Sequence, residues 1–404
     1  MKNILLVILD GLGDRPNKEF NNMTSLQASF RPNMNHLVSE GLGGILFPIT
    51  PGIRAGSDTS HLSILGYNPV EVYTGRGPFE AMGLGMDVKP GDIAFRANFA
   101  TIDENGIVTD RRAGRINSGT DKLASALRMN IDGVDFFVKE GVEHRAALVI
   151  RGDNLSDRVT DTDPHDLGRK PEIVKALDNE AAFSASVLNK FSAEAQKILG
   201  DHDVNLERIK NGLPPANVLL LRGPGKAPNL QPFHEKYNMK AAAISGIPMI
   251  SGIAKLAGMD LLKVVGATGS LDSNFKNKFK AASKALKIYD FVLMNIKATD
   301  VAGHDGKPRE KKKAIESIDA ALSDLDFKPE EAVICITGDH STPCSVKDHS
   351  GDPVPILFNT SGILGNHVRF FDEVSCLKTG FNLKGLDVMP YLLQLSDRAE
   401  KYGA

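Results

Sequence analysis

No window of the 404-residue chain approaches the roughly 18 uncharged residues of a membrane span. The apolar run Ile4–Leu9 stops at Asp10, too short for a secretory h-region. Three cysteines, Cys335, Cys344 and Cys376, have no CxxC spacing and leave an odd count, which argues against a disulfide framework or a zinc knuckle and predicts a reducing cytoplasm. A formal net charge of −2 gives no basis for sequence-independent binding to nucleic acid. No Gly-x-x-x-x-Gly-Lys-Ser/Thr loop occurs, and "DGLGDRP" lacks the third glycine of a dinucleotide fingerprint, so a kinase or dehydrogenase is not expected. The Gly-x-Ser-x-Gly elbow of serine hydrolases is missing too: around Ser57 the chain reads Ala55, Gly56, Ser57, Asp58, Thr59. If Ser57 does chemistry, something other than that machinery activates it.

What the chain does have is an ordinary globular composition, 42% hydrophobic and 24% charged, over a length that suggests two domains. Short runs rich in Ile, Leu and Val ("NILLVILD", "DLLKVVGATG", "DFVLMNIKATD", "EAVICITGDH") recur between helical stretches, the pattern of a parallel sheet buried on both faces. Between the last two runs, Ala314, Ile315, Ile318, Ala321, Leu322 and Leu325 keep a helix period, with a lysine-rich face read as pointing outward. Asp10, Asp300 and Asp339 each follow such a run, and the carboxyl ends of parallel strands share one edge. The middle of the chain carries shorter alternating runs and one long helical stretch. The expected organisation is therefore a core of residues 1–90 and 236–404, with a smaller α/β domain of residues 91–235 inserted into it.

"DVAGHDG" sets Asp300 and His304 four apart, "TGDHS" sets Asp339 beside His340, and His349 comes nine residues on. One Asp-His pair is an ordinary loop feature; several at strand ends form a ligand set. With Asp10 they give six oxygen and imidazole donors for two divalent ions, a mixture that suits Mn, Zn or Co, with Mg also admissible. A bound ion lowers the pKa of a hydroxyl, so Ser57 would need no histidine base. His36, His202, His234 and His367 are read as surface groups.

The order Asp10, Ser57, Asp300-x3-His304, Asp339-His340, His349 resembles the alkaline phosphatase superfamily. "VILDGLGDRP", "GSDTSHLSILGY", "TGRGPFEAMGLG" and "DTDPHDLGRKP" resemble the archaeal-type cofactor-independent phosphoglycerate mutases. That resemblance implies an alkaline-phosphatase-like, doubly wound, mostly parallel sheet carrying an inserted smaller α/β domain. It implies one ion on Asp300, His304 and His349 and another on Asp10, Asp339, His340 and the Ser57 oxygen. It also implies an isomerase of glycolysis and gluconeogenesis, converting 3-phosphoglycerate to 2-phosphoglycerate through a phosphoserine without 2,3-bisphosphoglycerate. The alternative within the superfamily is another phosphotransferase or a phosphatase, such as a phosphopentomutase-like enzyme. The longer bacterial-type mutases carry Asn-Ser-Glu-x-Gly-His at the nucleophile, whereas this chain has Gly56 to His61, which leaves the role of His61 open.

A small substrate bearing phosphate and carboxylate calls for guanidinium forks. The candidates are Arg112, Arg115, Arg145, Arg151, Arg158 and Arg222, with Arg111 nearby and His144 as an acid or base; Arg222 and Arg151 rank first because they end strand-like runs. Lys255 could neutralise phosphate or simply snorkel from a helix. "TDTDPH", with Asp161, Asp163 and His165, reads as an Asx-rich turn, and Cys344 as a core thiol.

Overall fold

The computed structural model describes residues 1–401 and 403. Two compact units divide the chain, Met1–Val72 with Leu230–Ala404, and Tyr73–Asn229.

The first unit is built on an eight-stranded sheet in the order Asp260–Leu261, Ala241–Ile244, Phe291–Ile296, Asn3–Leu9, Ala332–Thr337, Val354–Asn359, Leu42–Phe47, Asn382–Lys384. Only Val354–Asn359 runs against the rest. The central strands bury nearly every residue, which is why their sequences read as unbroken apolar runs instead of alternating ones. Register decides the site: Leu9 lies opposite Ile296 and Ile8 opposite Thr337, so the segments that leave these strands begin side by side at one edge.

Helix Pro308–Leu322 buries Ala314, Ile315, Ile318, Ala321 and Leu322 as its period requires. Its lysines do not all face water, however. Lys311 is fully buried and its Nζ donates to Gly13 O and Thr342 O, both at 2.9 Å. That ammonium ties together the loops after two neighbouring strands, which are also joined by Thr342 N donating to Gly13 O at 3.1 Å.

The second unit has a sheet whose paired strands are all antiparallel, with Ile93–Ile102 at its centre between Arg145–Arg151 and Val218–Lys226. Ile93, Phe95, Ala97 and Phe99 point into a core shared with Val187, Leu188 and Phe191 of helix Ala182–Asp201. Ala94 faces the other way, among Ala81 and Met86. Residues 73–90, assigned to the core domain from sequence, therefore pack with this unit: helix Gly77–Gly83 lies on the central strand so closely that a Cβ on Gly77 would meet Ala94 O at 2.0 Å.

Candidate active site

Asp10, Asp300 and Asp339 are all buried at the carboxyl edge of the first unit's sheet. Gly11 makes the approach possible. It sits at φ +65°, and a Cβ there would lie 2.7 Å from both Cα and Cβ of Asp300, so only glycine lets this turn pass so near the next strand's end. Its N–H donates to Asp339 Oδ1 at 2.9 Å, while Thr299 Oγ1 donates to Asp10 O.

Ser57 is the first residue of helix Ser57–Ile64, capped by Gly56 in extended conformation, and is 2% exposed. Its Oγ is 3.0 Å from His340 Nε2. The tautomer of His340 is set from its other side. Thr342 Oγ1 lies 2.7 Å from Asp300 Oδ1, which commits its one proton, and 3.1 Å from His340 Nδ1, which must then be the donor. Nε2 keeps a lone pair, and the Ser57 hydroxyl donates to it. His349 Nδ1 at 2.8 Å from Ala55 O and His304 Nδ1 at 3.1 Å from Lys347 O must likewise donate, since a carbonyl only accepts, so both also present a bare Nε2.

His61 does a different job. Its Nδ1 donates to Ser57 O at 2.6 Å and its Nε2 accepts from Asn295 Nδ2, which also donates to Asp10 Oδ2. It braces the first helical turn against the strand end that holds Asp10.

Three groupings of metal-capable atoms come within 4.8 Å of one another: Asp10, Asp339, His340; Asp300, His340, His349; and His304, Asp348, His349. His340 belongs to two of them. His304 Nε2 also lies 3.4 Å and His349 Nε2 3.7 Å from Asp300 Oδ1, so the trio read from sequence is gathered around one carboxylate oxygen. Asp348, which carries no signal in the sequence reading, bonds Arg54 at 2.6 Å.

Lys297 is a second residue that the sequence reading does not reach. Its ammonium lies 2.8 Å from Asp10 Oδ1 and 2.6 Å from Asp300 Oδ2. The available signal is a lysine three residues before Asp300 at the end of an apolar run. Burial alone would lower its pKa, but Asp10 and Asp300 outweigh this and hold it charged. Burial also opposes ionisation of Asp300, yet Lys297 and the imidazoles outweigh it and depress that pKa. Asp339 goes the other way: burial, then the charge on Asp10, pushes it up to about 7. Burial drives His340 down to about 4, so its ring is neutral near neutral pH.

Divalent ions fit this donor set. Asp339 Oδ2 is buried without a hydrogen-bond partner, three imidazoles present bare Nε2 atoms, and Asp10 and Asp300 share one ammonium. This has a consequence for pH. Ion and proton compete for Asp339, so affinity for Mn²⁺ should climb up to about tenfold per pH unit below about pH 7 and flatten above it, as measured by calorimetric titration. A flat profile across that range would mean Asp339 is already ionised before the ion arrives.

The second unit holds a separate cavity of about 250 Å³, lined by the predicted Arg112, Arg115, His144, Arg145 and Arg222. Arg96, Asn98, Arg111 and Glu143 complete it. Arg96 sits directly across the sheet from Arg222, and like charges so placed repel unless an anion joins them. Burial, then the guanidinium of Arg76, lowers Arg96 to about 9; burial, then Arg145 and Arg112, lowers His144 to about 4. Arg222 Nε and His144 Nδ1 are buried without partners, which marks a cavity made for an acceptor-rich ligand.

Asp163, read as part of a turn, is buried and grips Arg111 at 2.7 and 3.1 Å, with Arg222 at 3.5 Å. Its neighbour Asp161 accepts from Gly223 N, so this block braces the arginines from behind. Three candidates, Arg151, Arg158 and Lys255, fall outside the cavity. Arg151 is bound bidentately by Asp92 at 2.7 and 2.9 Å and stacks over Phe137; Arg158 is largely exposed beside Asp178. Lys255 is exposed in the last turn of helix Pro248–Leu256 in the other unit.

Residues 39–205 match the family model described as 2,3-bisphosphoglycerate-independent phosphoglycerate mutase. A Thermoplasma volcanium protein of that name is 53% identical over 404 residues, covering 100% of this chain and 99% of its own. A Pyrococcus horikoshii protein of known structure superposes with a TM-score of 0.88 at 38% identity, covering 100% of this chain and 99% of its own. The cofactor-independent phosphoglycerate mutase of Thermoplasma acidophilum does so with a TM-score of 0.74 at 46% identity, over 98% of this chain and 100% of its own.

Proposed function

Because the chain belongs to the family of 2,3-bisphosphoglycerate-independent phosphoglycerate mutases, we propose that it interconverts 3-phosphoglycerate and 2-phosphoglycerate by carrying the phosphoryl group on Ser57. The observation that carries this reading is the hydrogen bond from Ser57 Oγ to His340 Nε2, since His340 is shared by the grouping that contains Asp10 and the grouping that contains Asp300. In it, one ion would be held by Asp10, Asp339, His340 and the Ser57 oxygen, and the other by Asp300, His304 and His349. Bound there, divalent ions such as Mn²⁺, Zn²⁺ or Co²⁺ would acidify a hydroxyl and neutralise phosphate charge.

The chain's own groups do the rest. Ser57 Oγ bonds to phosphorus as the bond from phosphorus to the glycerate oxygen breaks, and the proton lost by Ser57 ends on the released hydroxyl. The phosphoserine so formed lies in the first turn of its helix, where the helix dipole favours an anion. His61 and Asn295 hold that turn in place. Within the second unit, the arginine cavity offers guanidinium forks of the kind that bind a carboxylate or phosphate, with Asp163 gripping Arg111. Transfer back to the other hydroxyl of the same glycerate completes the isomerisation, with no 2,3-bisphosphoglycerate consumed.

A coupled assay on Mn²⁺-loaded protein tests this by monitoring 2-phosphoglycerate and inorganic phosphate from the same 3-phosphoglycerate. Isomerisation should dominate and be indifferent to added 2,3-bisphosphoglycerate. Phosphate as the main product would instead favour a phosphatase of the same architecture, and a strict requirement for the bisphosphate would exclude the Ser57 route.

A further inference from the structure

Lys297 is the one member of the metal cluster that cannot be a ligand, since an ammonium has three donors and no lone pair. It still stands at the centre, with one N–H toward Asp10 of one ligand set and another toward Asp300 of the other. For its third N–H there is no acceptor within hydrogen-bond distance among the described residues. Its side chain retains 19% of its surface, so a ligand can reach it.

Charge makes this placement hard to explain by structure alone. Asp10, Asp300 and Asp339 are the carboxylates that two divalent ions would claim, and once claimed they no longer need an ammonium. A lysine kept beside two cations is repelled by both unless a further anion enters. With the ions in place the cluster carries an excess of two positive charges, the complement of a phosphate monoester dianion.

We propose that Lys297 is a catalytic residue that grips a non-bridging oxygen of the phosphoryl group as it passes to and from Ser57. It keeps its proton throughout: the bond made is Ser57 Oγ to phosphorus, the bond broken is phosphorus to glycerate oxygen, and the Ser57 proton ends on that glycerate oxygen. Lys297 stabilises the charge that spreads over the equatorial oxygens in between. This assignment rests on the phosphoserine reading of Ser57.

The competing role is a stand-in cation that balances the carboxylates only while no ion is bound. Lys297→Met, close in length but uncharged, separates the two when studied in saturating Mn²⁺. If Lys297 is catalytic, rapid-quench trapping with 3-phosphoglycerate should show Ser57 phosphorylation slowed by about 10²- to 10³-fold. Mn²⁺ titration should give affinity equal to or tighter than that of the unaltered protein, because a competing cation has gone. Lys297→Arg, which keeps the charge, should recover part of the rate. Ser57 phosphorylation at the unaltered rate in Lys297→Met would overturn the proposal. So would a loss of Mn²⁺ binding large enough to account for the lost rate, which would reduce Lys297 to holding the ligands. If the unaltered protein itself forms no phosphoserine, the reading of Ser57 fails first and takes this one with it.

Discussion

Ser57→Ala should abolish measurable mutase turnover, a fall of about 10⁴-fold or more, while the ions remain bound. The loss is large because no other hydroxyl hydrogen-bonds His340 Nε2 among the described residues. The fold should hardly notice. The Ser57 side chain makes no capping bond to its helix, whose N-cap is Gly56, and alanine is a good first-turn residue. His340 loses a partner but is already neutral near pH 7, so no charge is stranded. Asp10, Asp339 and His340 keep three donors for the ion that Ser57 would have touched. Steady-state assays with matched metal analysis check both halves, and intact-mass measurement after exposure to 3-phosphoglycerate should find no phosphorylated chain. Turnover within tenfold of the unaltered protein would mean that phosphate reaches its new oxygen without resting on Ser57.

Whether one of these residues can be read from sequence depends on the range of the interaction that places it. The sheet and the strand-end aspartates are legible because burial on both faces writes an unbroken apolar run, and the residues just past the end of each run fall at the same edge. Gly11 is legible as a turn, but its closeness to Asp300 is not, because the contact is set by the register between Leu9 and Ile296. The same holds for Lys297. By itself a lysine after "FVLMNI" is an ordinary charged strand end; only the neighbouring strand, nearly 290 residues away in sequence, reveals that it faces Asp10. Lys311 sits in a run of three lysines and looks solvated, yet two carbonyls from distant loops claim it.

The arginines show the limit from the other side. Arg151 and Arg222 both end strand-like runs and look equivalent in sequence, but Asp92 captures the first and the cavity the second. Arg96 does carry a local signal, a charge on the alternate face of "AFRANF" between Phe95 and Ala97, both of which point into the core. An alternation with a guanidinium on its second face needs an explanation, and a paired strand bearing Arg222 opposite it supplies one.

Removing the ions should silence the enzyme without unfolding it, and the reason lies in how the empty site disposes of its charge. Lys297 covers Asp10 and Asp300, and Asp339, with its pKa pushed up to about 7, can take a proton, so the metal-free cluster is not left with three naked carboxylates. Chelated protein should therefore keep its sheet but melt earlier. An ion that binds only the folded state adds about 2.7 kcal/mol at 100 times its Kd, and two such ions should shift Tm by on the order of 10 °C. The loss of protection should be local as well. Amide exchange should quicken at residues 10–14, 297–304 and 338–350, whose order depends on the ligands, and stay unchanged in Tyr73–Asn229, which has its own core and none of the ligands. Returning Mn²⁺ should restore turnover and the higher Tm together, because the same carboxylates and imidazoles serve both. Turnover by protein shown to be metal-free by elemental analysis would break that link, and it would leave the buried, unpartnered oxygen of Asp339 without a purpose.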